Sequence, residues 1–375
     1  MRIGFFTYGM KAELTGIGRY TTELTYALRR IEPSLEIILL NPYPESTLQW
    51  YREFPTYPVP LLQRLPNVIV WGSWVLARAA TDLRLNILHD PCGIAPFIAL
   101  RHGIRRVVTV HDAIPYVHPE LQPFLTRIVF QTLIRASKWT SDAVVTVSDD
   151  ARSGLIRYVG FSPNQISVTH SGALIPSDGQ VARWRQLVPG VTKSLNIGTP
   201  YFLYVGAINP RKNVARLLQA FRKVHERKPD VHLVIVGPQT EWPKEMLFYA
   251  SKLEGAIHVT GFLDDEVLHV LYVGAIGVVY PSLYEGFGSP ALEGMAHGTA
   301  VITSNVSSLP EVVGDSGILI DPIDADAIAC AMLNVLDNPS LLKTLQDRGR
   351  KRAKQFTFEN TARETLKVYR RILGA

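Results

Sequence analysis

Eleven short, nearly continuous apolar runs punctuate the chain, separated by longer stretches in which apolar and polar positions mix. In the first half the runs are RIGFFTY, LEIILLN, ILHDP, RRVVTVHD and DAVVTVSD. In the second they are YFLYVG, VHLVIVG, IHVTGF, AIGVVYPS, AVITSN and GILIDP. Runs of this length without strict alternation predict parallel strands covered on both faces. Helix-length segments between them supply the crossovers. The fold expected is α/β, with two Rossmann-like, doubly wound parallel-sheet domains facing a cleft. Right-handed crossovers put the ligand-facing loops at the carboxyl ends of the strands.

Turn residues without clear periodicity mark residues 176–199 as a linker. The domains expected are then 1–175 and 200–355. The tail reads as helical with an interruption at 355–358, and residues 356–375 are expected to form a last helix that crosses back to the first domain.

At 375 residues and 47% hydrophobic content, two substantial cores fit, and global disorder does not. Two cysteines far apart make neither a disulfide framework nor a metal signature. No apolar run reaches membrane-spanning length, and the opening MRIGFFTY is too short for a signal peptide core. A soluble, cytoplasmic protein is expected.

The net charge of +6 is unevenly spread. Residues 1–170 carry 17 Lys and Arg against 13 Asp and Glu, residues 171–342 carry 12 against 17, and residues 343–375 carry 10 against 3. A basic first half and tail suit an anionic substrate or membrane surface, and equally a solvated helix. Within LQPFLTRIVFQTLIRASKW, apolar residues mix with Arg127, Arg135, Lys138 and Trp139. That pattern fits peripheral contact with an anionic membrane, and it also fits a helix packed on its own sheet.

The densest candidate chemistry is YEGFGSPALEGMAHGTAVITSN, residues 284–305. A strand ends near Ser282. Gly286 and Gly288 allow a tight turn, Ser289 is placed as an N-cap with Pro290 in the first turn, and Gly298 stops the helix. Such a helix start suits phosphate. Glu285 and Glu293 flank it, and carboxylates accept paired hydroxyls well. The layout suggests a ligand with sugars on both sides of a phosphate. In YFLYVGAINPRKNVARLLQAF, Arg211 and Lys212 precede a helix whose N-cap is read as Asn213. Two cations there call for a compensating anion, and a diphosphate would serve.

These blocks resemble the retaining, GT-B-fold family-4 glycosyltransferases, on their mannosyltransferase-like branch. The E-x₇-E spacing of Glu285 and Glu293 carries the likeness, with GAINPRKN, GFLDDEVLHVLY and SSLPEVVGDSGILIDPID in the second half. TGIGRYTTEL, VTVHDAIPYVHPE and VVTVSDDARSGLIRYVG extend it through the first. The resemblance implies metal-independent transfer of a hexose from a nucleotide-diphosphate sugar, of GDP-mannose or UDP-glucose type, without a further cofactor. It implies a glycan or lipid-linked saccharide acceptor and no nucleic-acid partner.

By position, Glu285 would meet the donor sugar hydroxyls. The backbone of Gly286, Phe287 and Gly288, with Ser289 and Gly206, would hold sugar or phosphate. Glu293 would bind the ribose diol, Arg211 and Lys212 the diphosphate, and Phe262 and Leu263 the base. His111 would face the sugar, and Gly16, Gly18 and Arg19 would lie by the phosphates or the acceptor. Many relatives have Arg after the glycine at 206, where this chain has Ala207.

Two other functions compete: a non-catalytic nucleotide-sugar binder or scaffold, and a glycoside hydrolase using the two glutamates as acid and nucleophile. TGIGRY is not a full dinucleotide fingerprint. Asp324–Ala325–Asp326 mimics a metal-binding pair but reads as a helix N-cap. His89 and Asp90 close another strand and divide evenly between structural and functional readings.

Overall fold

A computed structural model describes residues 1–12, 14, 16–95, 97–98, 103–238, 244–253 and 255–374. The chain forms two compact units, one of Met1–Gly172 with Phe358–Ala375 and one of Ala173–Thr357.

The first unit is built on a parallel sheet. Its strands are β1 (Arg2–Phe6), β2 (Glu36–Asn41), β3 (Thr56–Pro58), β4 (Ile87–Asp90), β5 (Arg105–Thr109), β6 (Ala143–Thr146) and β7 (Ile166–Val168), in the order β3-β2-β1-β4-β5-β6-β7. The second unit holds β8 (Tyr201–Val205), β9 (His232–Val236), β10 (Ile257–Gly261), β11 (Gly277–Tyr280), β12 (Ala300–Ser304) and β13 (Ile318–Ile320), in the order β10-β9-β8-β11-β12-β13. Every pairing is parallel.

All eleven expected runs are strands. The two that the pattern missed, β3 and β7, have three residues each and lie at the sheet edges, where the apolar signal is short. Central strands are covered on both faces: Tyr201, Phe202, Leu203 and Tyr204 of β8 are fully buried, as are Val278, Val279 and Tyr280 of β11.

Each sheet grows in two directions from one point. Chain order runs outward from β1 through β2 to β3, then resumes on the other side at β4. In the second unit it runs from β8 through β9 to β10, then resumes at β11. Loops leaving the carboxyl ends of β1 and β4, and of β8 and β11, diverge and open a crevice, the usual ligand position in such sheets.

The segment expected as a linker departs from expectation. Asp178–Ser194 is a 17-residue helix despite Pro189 inside it. A capping box opens it: the Ser177 hydroxyl accepts from Gln180 N, and the Gln180 side chain accepts from Ser177 N. Val181 and Trp184 turn inward and are buried. The Phe358–Leu373 helix belongs to the first unit and packs on the Gly16–Ile31 helix. Ion pairs between Arg30 and Glu359 (2.6 Å) and between Arg370 and Glu32 (2.8 Å) border that contact. No described helix is long and apolar enough to cross a membrane.

Candidate active site

In the second unit the site grows from the loops after β8 and β11. Residues 281–288 lead from β11 to the Ser289–Ala296 helix, and Gly288 is the turning residue. Its φ is +100°, and a Cβ there would lie 2.5 Å from Leu309 Cδ2. Gly288 is therefore the N-cap. Ser289 is the first helical residue rather than the cap, and no side chain caps this end. Gly298, at φ +73°, follows the helix as expected.

The loop after β8 contains a short turn, Pro210–Lys212, in which the Asn209 side chain accepts from Lys212 N. Asn213 takes a left-handed conformation at the N-cap of the Val214–Arg227 helix but makes no side-chain cap bond. Its Nδ2 instead donates to the carbonyls of Pro281 (2.9 Å) and Pro322 (2.7 Å), tying the two loops together. Leu283 N donates to Arg211 O (2.8 Å), a second tie. Gly206 sits where β8 ends, and a Cβ on Gly237 would fall 2.1 Å from its carbonyl oxygen.

These ties bring Arg211, Lys212 and Glu285 into contact. Arg211 Nη1 lies 2.6 Å from Glu285 Oε2 and also donates to Tyr284 O at 2.9 Å. Lys212 Nζ lies 2.7 Å from Glu285 Oε1. The Tyr280 hydroxyl donates to the same oxygen at 2.9 Å and also bonds Lys212 Nζ. Ser307 Oγ accepts from Glu285 N (3.0 Å), and Ser308 Oγ donates to Glu285 O (2.9 Å). Glu285 and Lys212 are buried. Burial alone would raise the Glu285 pKa, but the charges of Lys212 and Arg211 outweigh it and hold the carboxyl at about 2. The anion that the two adjacent cations called for is thus supplied, in this structure, by the chain itself.

Glu293 is the fifth residue of the Ser289–Ala296 helix and is partly buried. The Tyr272 hydroxyl donates to its Oε2 at 2.7 Å. Behind it four rings stack in series. Trp184 lies on His269 with centroids 4.5 Å apart, His269 on His297 at 4.9 Å, and His297 on Tyr272 at 5.0 Å. His297 Nδ1 donates to Glu293 O (2.7 Å), so its Nε2 accepts from His269 Nδ1 (2.9 Å). Burial pushes the His297 pKa down to about 4, consistent with a neutral ring. Phe262 and Leu263 follow β10 directly, and Phe262 is exposed.

In the first unit the corresponding loops carry different groups. Gly16 begins the Gly16–Ile31 helix, and a Cβ on Gly18 would lie 3.0 Å from Leu14 Cδ2. Thr15, which opens the TGIGRY block, lies outside the described residues. His111 follows β5, and its Nε2 donates to Pro91 O at 2.9 Å. The ring meets Tyr20 edge-on with centroids 4.9 Å apart. Burial lowers its pKa to about 4. Asp90 organises the loop that provides that carbonyl. Its carboxylate accepts from Cys92 N (2.9 Å), Ile94 N (2.6 Å) and Ala95 N (2.6 Å). Burial pushes its pKa up to about 6 against those bonds. His89 is buried between Tyr369 Oη (2.5 Å) and Thr109 Oγ1 (2.8 Å), a structural setting.

The Asp324 carboxylate accepts from Asp326 N (2.8 Å) and Ala327 N (3.0 Å), and Asp326 pairs with Lys223. The acidic pair is a helix cap, as its sequence reads. Sequence reasoning missed Tyr280, Tyr272 and the Ser307–Ser308 pair, and left Asp90 evenly divided between structure and function. Each meets its partner through the fold, and only Asp90 and Tyr280, closing apolar strands, leave a local trace.

Two stretches of the chain match family descriptions: residues 14–173 match Glycosyltransferase Family 4, and residues 192–352 match Glycosyl transferases group 1. The chain is 33% identical over 387 residues to O-antigen chain mannosyltransferase B of Escherichia coli, covering 99% of this chain and 100% of that one. The chain belongs to the family-4 glycosyltransferases. A 27% identical relative is the MMP alpha-(1->4)-mannosyltransferase of Mycolicibacterium hassiacum, matched over 100% of this chain and 99% of the relative. Among solved structures, sucrose-phosphate synthase from Thermosynechococcus elongatus superposes with a TM-score of 0.80 at 21% identity, covering 100% of this chain and 99% of that one. HepE of Anabaena, in complex with UDP-glucose, gives 0.75 at 18% identity over 98% and 99%. At these identities the structural likeness concerns the fold, two parallel-sheet domains of GT-B type.

Proposed function

We propose that this glycosyltransferase moves a hexose, with retention and without a metal, from a nucleotide-diphosphate sugar to a glycan or lipid-linked saccharide in polysaccharide biosynthesis. The observation that carries the reading is the meeting of Arg211, Lys212 and Glu285 at the point where the second sheet reverses direction. Arg211 and Lys212 stabilise the departing diphosphate. Glu285, ionised and pinned by Ser307 and Ser308, accepts hydroxyls of the donor sugar. Glu293, oriented by Tyr272, takes the ribose diol. The backbone of Gly286, Phe287 and Gly288, with Gly206 and Ser289, lines the phosphates, and Phe262 and Leu263 meet the base. In the first unit, His111 serves the sugar, and Gly16 and Gly18 serve the phosphates or the acceptor.

The acceptor oxygen attacks C1 from the leaving-group side as the bond from C1 to the phosphate oxygen breaks. The acceptor proton passes to the diphosphate. Mannose from a GDP-linked donor is the preferred pairing, because the first relatives are named mannosyltransferases. A UDP-sugar is the alternative, as in the HepE complex. Lipid-linked acceptors would bring the protein to the cytoplasmic face of a membrane as a peripheral partner.

The hydrolase reading is disfavoured, because Arg211 and Lys212 beside Glu285 form a cationic apparatus suited to a departing diphosphate, which a glycoside hydrolase would not need. The test is donor binding and slow donor hydrolysis across GDP-, UDP- and ADP-sugars. Glu293→Ala should weaken binding of the free nucleotide diphosphate. Glu285→Ala should spare that binding and impair transfer. Equal losses in both assays would end this division of roles, and silence with every donor would end the transferase reading.

A further inference from the structure

Among the described residues, ten of the eighteen exposed large apolar side chains fall between Leu61 and Trp139. Eight of them, Ile69 among them, sit on two helices of the first unit, Leu65–Asp82 and Phe124–Thr140. Both helices cover the same face of the sheet, since Val68 and Leu76 of one and Ile134 of the other join one buried cluster.

Their inner faces account for the packing, and their outer faces do not. On Leu65–Asp82 the outward stripe is Val70, Trp71 and Trp74, with the Trp74 side chain 63% exposed. On Phe124–Thr140 it is Phe124, Leu125, Ile128 and Trp139, recurring at helical spacing, and only Ile134 and Ser137 of that helix are fully buried. Cations accompany the rings. The Arg127 guanidinium lies 5.1 Å from the Phe124 ring centre, Lys138 Nζ lies 5.6 Å from that of Trp139, and Arg64 and Arg135 are exposed nearby in sequence. No Asp or Glu occurs in residues 54–81 or 121–141.

We infer that this two-helix face docks on an anionic lipid surface. Tryptophan and phenylalanine favour the boundary between headgroups and acyl chains, and flanking Arg and Lys favour anionic headgroups. A second copy of the chain fits poorly. Two-fold pairing of this face would set cations against cations, and the one carboxylate on the two helices, Asp82, sits at a helix end and pairs with Arg78. The use of this face for acceptor delivery rests on the lipid-linked acceptor proposed above, but the docking itself does not.

The experiment uses the full chain and two vesicle types, phosphatidylcholine alone and phosphatidylcholine mixed with phosphatidylglycerol. Cosedimentation should occur with the mixed vesicles, weaken as salt rises, and be slight with phosphatidylcholine alone. Tryptophan emission should shift to the blue on binding, because three of the six tryptophans lie on this face. Trp74→Ser combined with Trp139→Ser should lower the partition coefficient roughly tenfold, and Arg127→Glu with Arg135→Glu by a similar factor. Hydrolysis of a water-soluble donor should be unchanged in both variants, which shows that they are folded and separates this proposal from the transferase reading. No binding to mixed vesicles, equal binding to both vesicle types, or binding indifferent to the substitutions overturns it. So does concentration-dependent self-association of the chain that the same substitutions abolish.

Discussion

The two units reverse strand order at equivalent points and fill those points with opposite chemistry. Beside β1 and β4 the groups are a half-buried, neutral histidine at 111, edge-on to Tyr20, and a buried Asp90 wrapped in backbone N–H groups. Beside β8 and β11 three formal charges touch: Arg211, Lys212 and Glu285. The doubly wound topology dictates where a site can form. The side chains decide whether it offers neutral hydrogen bonding or fixed charge. A neutral pocket suits hydroxyls, and a charged one suits a leaving group that develops negative charge.

The comparison breaks most readily at the charged end. Lys212→Met should lower kcat with the true donor by about 10²–10³-fold. It should also destabilise the second unit by about 3 kcal/mol, because Glu285 would keep its charge with one partner fewer. Steady-state kinetics and urea unfolding measure the two effects, and a kcat loss below tenfold would mean that the charge cluster is architectural.

In the first unit, Asp90→Ala leaves three N–H groups without their acceptor and should cost about 2 kcal/mol in urea unfolding. If Asp90 positions His111 through the Pro91 carbonyl, KM for the donor should rise as well. A stability loss with unchanged kinetics would confine Asp90 to the scaffold.

Acid should separate the groups further. His89, His111 and His297 have pKa values lowered from 6.5 to about 3, 4 and 4. The unfolded chain therefore takes protons that the folded chain refuses. The stability these groups contribute is present above pH 6.5 and declines as pH falls toward 4. Asp90, raised from 3.8 to about 6, acts in the opposite sense: its contribution is complete below 3.8 and lost as pH rises through 6. Glu285, lowered from 4.5 to about 2, adds a loss only as pH falls from 4.5 toward 2. Thermal midpoints from pH 7 to 4 should fall in the parent and fall less steeply in His111→Asn, and identical slopes would discard the neutral-pocket account.

The smallest effects belong to the supporting hydroxyls. Tyr272→Phe should raise KM severalfold with kcat nearly intact, since Glu293 would lose one donated bond worth about 1 kcal/mol. Tyr280→Phe, which removes a bond to Glu285 itself, should act on kcat. Isothermal titration with nucleotide diphosphate distinguishes them, and a kcat effect from Tyr272→Phe would misassign Glu293.

The sheets were legible because buried parallel strands write themselves as apolar runs. β3 and β7 were not, because three residues at an edge carry too little of that signal. Asp178–Ser194 hid behind Pro189 and its polar outer face, although Ser177 and Gln180 spell a capping box. The loop of 284–288 was readable down to its turn, and only the cap moved, from Ser289 to Gly288. The pairing of Glu285 with Arg211 and Lys212 was beyond reach. It joins residues more than seventy positions apart, and only the adjacency of β8 to β11 brings them together.

The built-in carboxylate has a bearing on selectivity among anions. An ion approaching Arg211 and Lys212 meets cations whose field Glu285 has already partly cancelled. A lone chloride or small oxyanion gains little by competing with a carboxylate that is covalently part of the pocket and cannot diffuse away. On the function proposed above, a diphosphate would bring several oxygens at once, and its attached sugar would offer Glu285 hydroxyls in exchange for the cations it gives up. Such a site would ignore the common ions around it and yield to a ligand that presents both chemistries together.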